Sequence, residues 1–133
     1  MRKLILILLI AAPLFANTTL FTKYEAVRQS LLKSDLAGAQ KNAAALSTEA
    51  QKAKKRMVSE FAQGVEKSRD LAAARRNFAA LSDEMIKVRN TSSGKRPSVY
   101  YCPMVKKSWL QPKGQVGNPY DSMMALCGEL KAP

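Results

Sequence analysis

From Thr18 to Asn90 the chain contains no proline, and its apolar residues return at steps of three and four. A run of this length without a breaker, carrying that period, can bury its apolar side chains only as amphipathic helices. Phe21, Tyr24, Val27 and Leu31 make one face of a first helix. Ser34-Asp35 reads as a break, with an N-cap for the next helix. The second seam is Leu36, Ala39, Ala43, Leu46, Ala50, Ala53 and Met57, and this helix is expected to run on through Phe61 to about Gly64. Its small alanines allow a neighbouring helix to approach closely. A third helix is expected from Ser68, with Leu71, Ala74, Phe78, Leu81, Met85 and Val88 as its seam, ending at Asn90 to Gly94. Met57 and Met85 read as core filler. The expected fold is all-α: an antiparallel bundle of about three long helices, residues 17–94, with residues 95–133 as an irregular cap packed on it.

The two ends differ from this middle. Met1-Arg2-Lys3, the apolar run Leu4 to Ala12 and the ending Pro13-Leu14-Phe15-Ala16 have the pattern of a cleaved secretory signal peptide, residues 1–16. The location implied is the periplasm. The cap carries five of the six prolines, three of the four tyrosines, the single tryptophan and both cysteines. Val99-Tyr100-Tyr101 suggests a short strand. Asp121 to Leu126 suggests a short last helix, with Gly128 just past its end.

Charge narrows the partners. The chain has 22 basic and 10 acidic residues, and loss of Arg2 and Lys3 leaves a net charge of about +10. Acidic protein surfaces and anionic membrane surfaces fit that sign. Export argues against nucleic acid, and the run Lys52-Ala53-Lys54-Lys55-Arg56 has no aromatic interleaving of the kind single-strand binders use. It reads as a solvated helix face. There is no histidine, so a histidine-based triad or general base is excluded, and the protein reads as a non-enzyme.

The sulfur atoms gather in the cap. Cys102-Pro103-Met104 holds two sulfurs two residues apart, which an extended segment would present on one side. Met124 and Cys127 are spaced i, i+3, and Met123 lies within reach. Thiolate and thioether donors without imidazole favour Cu(I), with Ag(I) as its mimic. Tyr100, Tyr101, Trp109 and Tyr120 would then shield the ion. The same cysteines also allow a Cys102–Cys127 disulfide, worth about 3–4 kcal/mol for a loop of about 25 residues. Spacing supports both arrangements, and the two could alternate with redox state.

The ordered series Tyr101-Cys102-Pro103-Met104, Trp109-Leu110, Asn118-Pro119-Tyr120 and Met124-Ala125-Leu126-Cys127-Gly128 resembles a bacterial periplasmic domain family of undefined function. The helix Arg75 to Ser82 resembles that family's segment before the motif. The likeness covers essentially the whole chain after residue 16. Two departures are the short spacer Val105 to Ser108 and Asp121-Ser122, where an aromatic-glycine pair is usual. Members of that family occur alone or fused to the periplasmic adaptor subunits of copper and silver efflux pumps. The resemblance therefore implies soft-metal handling as a carrier or accessory to efflux. The metal residues would be Cys102, Met104, Met124 and Cys127, with Met123 as a substitute. Trp109, Asn118 and Tyr120 would support them. The competing expectation is a disulfide-stapled interaction module with a basic face and no metal.

Overall fold

The computed structural model describes residues 12–133, with side chains from Asn17 onwards. The leader expected at residues 1–16 lies outside the described residues, apart from the backbone of its last five. Four helices come first: α1 (Ala12–Leu32), α2 (Leu36–Lys52), α3 (Arg56–Glu66) and α4 (Leu71–Asn90). Three strands follow, β1 (Ser98–Cys102), β2 (Lys107–Gln111) and β3 (Glu129–Ala132), with a 3-10 turn at Ser122–Met124 between the last two. The sheet is antiparallel, in the order β2-β1-β3. The fold is therefore mixed α and β, and the expectation of an all-α bundle of about three helices is wrong on both counts.

The extra helix arises where no breaker is visible. Helix α2 ends in a Schellman closure: Lys55 N donates to Ala50 O, Lys54 N donates to Gln51 O, and Lys54 sits at φ 57°. Glycine normally takes this left-handed position, so a lysine there hides the helix end from the sequence. Ser34, at φ 56°, closes α1 in the same way. The seam read across the break was thus two seams. Ala39, Ala43, Leu46 and Ala50 are buried as expected, but Met57 falls at the start of α3 and is 46 % exposed. The basic run Lys52 to Arg56 is likewise a corner between helices, not a helix face.

The other seams hold. Tyr24, Val27 and Leu31 of α1 meet Ala74, Phe78, Leu81, Met85 and Val88 of α4 in one core. Short connections keep sequential helices as neighbours. Between α2 and α3, Ser47 bonds Ser59 and Gln40 reaches Ser68 O, so the two helices run antiparallel. Asp35 and Asp70 cap α2 and α4 by accepting from Gly38 N and Ala73 N. Replacing Asp70 by alanine leaves that first-turn donor without its acceptor. The expected loss is about 1 kcal/mol of stability, read from the urea midpoint.

The sheet forms because residues 98–111 are a hairpin. Tyr100 pairs with Trp109 and Cys102 with Lys107, and the turn closes through Lys106 N to Cys102 O. The expected last helix, Asp121 to Leu126, is reduced to the 3-10 turn Ser122–Met124, and past Gly128 the chain returns beside β1 as β3. Among the described residues strand β3 has no partner on its outer edge, and its own residues are mostly exposed.

Candidate functional site

Cys102 closes β1, and Cys127 lies just before β3. Their sulfurs are bonded to each other, with the two Cα atoms 5.4 Å apart. Cys102 is buried and belongs to the core. Met124 sits one turn before Cys127, whose N donates to Met124 O. Met104 lies in the hairpin turn after Pro103, so the strand ends before it and the two sulfurs of Cys102-Pro103-Met104 diverge. One is buried, and the other belongs to a residue 69 % exposed. Met123 is 91 % exposed, and Met124 is half-buried. The disulfide thus joins the two segments that carry the five sulfur residues, while Met104 and Met123 stay exposed. In the disulfide form neither cysteine is a thiolate, and this donor set does not fit a Cu(I) centre.

The aromatic residues expected to shield an ion have another role. Tyr24 stacks on Phe78, Phe78 meets Tyr120, Tyr120 meets Trp109 edge-on, and Trp109 stacks on Tyr100, with successive centroids 4.8–6.0 Å apart. This row of rings runs from α1 through α4 into the sheet and joins cap to bundle. The Tyr24 hydroxyl accepts from Leu110 N and shares a hydrogen bond with the Ser82 hydroxyl. Burial raises the pKa of both the Tyr24 and the Tyr120 phenol well above the ordinary range, so both stay neutral. Tyr101 is only half-buried and lies under the Lys131 ammonium, while Lys107 lies over Tyr120.

Below the disulfide a polar hub holds the irregular loop. Buried Gln111 accepts from Trp109 Nε1 and Gly117 N, and donates to Gln115 O. Asn118 accepts from Tyr120 N, and its own N–H donates to Ala125 O. Gly128 lies so close to Trp109 and Val116 that an added Cβ would approach their side chains to 2.8 and 2.6 Å. Only glycine fits there, which accounts for the Cys-Gly step.

Three arginines fasten this cap, and sequence reasoning passed over them. Arg28, 4 % exposed, donates to Gly117 O and is paired with Glu25. Arg75 donates to Pro119 O and Leu31 O. Arg89 donates to Pro97 O and Pro133 O. Counted as surface charge, they are instead internal clasps whose guanidinium forks satisfy loop carbonyls. Their helical positions give no signal of this, because the acceptors lie up to 89 residues away.

Among the described residues no group of three or more His, Cys, Asp or Glu side chains is placed to hold a metal. None of the described helices is long and apolar enough to cross a membrane. No protein-family model, curated protein or solved structure matches the chain.

Proposed function

We propose that this protein is an exported, non-enzymatic module of the bacterial envelope. It works through its surface, and the Cys102–Cys127 disulfide is its internal staple. The observation that carries this reading is the fate of the two thiols. They are bonded to each other, and Cys102 is part of the core. A disulfide of this kind suits an oxidising compartment, in keeping with the leader-like N-terminus. The basic balance then directs the module to acidic partners.

A second reading rests on the exposure of Met104 and Met123 beside the bridge. A structural staple has no use for exposed thioethers. Reduction would free two thiolates within three residues of Met104 and Met124, a donor set suited to Cu(I) or Ag(I). The family resemblance points the same way, to a carrier or accessory of heavy-metal efflux with an efflux adaptor as its partner.

One experiment separates the two. Thiols are counted on the denatured protein as isolated, and the reduced form is then titrated anaerobically with Cu(I) against a chelator. The expected result is no free thiol, and a reduced form that loses Cu(I) to a weak chelator. Free thiols together with one tightly held Cu(I) per chain, lost in Cys102→Ser and in Met104→Leu/Met124→Leu, would replace the staple reading by the metal one.

A further inference from the structure

Positive charge is concentrated at the corner where α2 turns into α3. Lys54, Lys55 and Arg56 of that corner, with Lys87 of α4, line one open cavity of about 310 Å³. Glu84 is the single acid on its wall. Arg56 and Lys87 have carboxylate neighbours, Glu60 at 2.9 Å and Glu84 at 3.3 Å; the cations of both pairs are largely exposed, and so is Glu60, while Glu84 is mostly covered, so the Arg56 pair is the more readily exchanged for another anion. Lys54 and Lys55 have no acidic partner among the described residues. The rest of the lining is largely apolar: Val58 and Val88 are buried, and Met57 stands half-exposed among the cations.

This composition selects its ligand. Four cations around one cavity call for an anion. An apolar side chain set among them calls for an amphiphile, because a free anion would gain nothing from Met57, whereas the interface of a bilayer would cover it. An acidic peptide would pair with the cations alone, so the exposed Met57 standing among them favours a membrane.

We propose that the α2–α3 corner is a docking surface for anionic phospholipid headgroups. Lys54, Lys55, Arg56 and Lys87 hold the phosphates, and Met57 enters the interface. The inference rests on the reading of the protein as an envelope module that works through its surface, and it names the partner of that surface.

The test is sedimentation of the protein with vesicles of phosphatidylcholine, with and without phosphatidylglycerol. Binding is expected only when phosphatidylglycerol is present, and it should weaken as salt is raised. Lys54→Glu/Lys55→Glu should weaken it at least about twentyfold at low salt, since each basic residue near an anionic surface contributes about fivefold. Lys67→Glu/Arg69→Glu makes the same change in net charge at the other end of α3, where both side chains are exposed, and should weaken binding far less. Circular dichroism checks that the variants fold, and Lys55→Glu/Lys87→Glu replaces the first pair should it unfold. In Met57→Trp, the added indole should shift its emission to the blue on phosphatidylglycerol vesicles, against the constant signal of buried Trp109.

Absence of binding, equal losses in the two charge variants, or an unshifted indole would each overturn the proposal. Polyglutamate bound as tightly as the vesicles and released by the same substitutions would assign the corner to an acidic protein instead. A disulfide-bonded protein that ignores the vesicles would overturn this inference alone. Free thiols with bound Cu(I) would overturn the staple reading and leave the vesicle result standing.

Discussion

Opening the Cys102–Cys127 bridge should lower the unfolding free energy by about 3–4 kcal/mol. The bond closes a loop of 25 residues, and its removal returns that much conformational freedom to the unfolded chain. A small domain is stable by only about 5–15 kcal/mol, so the loss is a large fraction of the whole. The folded side of the balance suggests the same sensitivity. Strand β3 is four residues long, lies at the sheet edge and is mostly exposed. Without the bond it would be held by its pairing with β1 and by the Arg89 contact to Pro133 O. Urea unfolding of the oxidised protein and of Cys102→Ala/Cys127→Ala should give midpoints separated accordingly, with proteolysis of the variant starting after Gly117. Coincident midpoints would show that the bond is no staple, and would remove the main support for the proposed function.

Trp109→Ala is expected to cost about 3–5 kcal/mol, as large-to-small changes of buried aromatics do. Trp109 is fully buried and sits where the sheet, the hub and the C-terminal turn converge. Its ring stacks on Tyr100, meets Tyr120 edge-on and covers Gly128. Its indole N–H donates to Gln111 Oε1 at 2.8 Å. Alanine would open a cavity among these groups and remove one of the two donors to the Gln111 amide oxygen. The loss should appear in the urea midpoint, together with collapse of the near-ultraviolet dichroism of the ring row. A loss below about 1 kcal/mol, typical of surface changes, would mean that the cap does not lean on this residue.

The sulfur corner and the basic corner call for different chemistry and are tested separately. The first is closed by oxidation, with its thioethers left at the surface. The second is open and cationic.

Much of the helical core was legible from period alone. Tyr24, Val27, Leu31, Phe78, Leu81 and Met85 fall where three-and-four spacing places them, because a helix's buried stripe is a local consequence of 3.6 residues per turn. The pairing of the cysteines was also readable as one of two arrangements, since two cysteines leave a single intrachain partner. The number of helices was not readable. Schellman closures with Ser34 and Lys54 in the left-handed position need no glycine, so the apolar spacing appeared to continue through a turn. Strands β2 and β3 were missed for a related reason. Lys107 to Gln111 shows no alternation, because its last three residues are all buried, and β3 is almost wholly exposed. A strand is recognised by the contrast between its two faces, and neither has one.

By itself, then, the sequence determined the amphipathic helices, the basic balance, the absence of histidine chemistry and the gathering of sulfur near the C-terminus. Each depends on residue type and near-neighbour spacing. Only the tertiary structure decided that the cysteines are bonded, that Met104 and Met123 stay outside, and that Arg28, Arg75 and Arg89 turn inward as clasps. Those outcomes depend on which carbonyls, rings and sulfurs meet across 25 to 89 residues of chain, and local periodicity carries no information about such meetings.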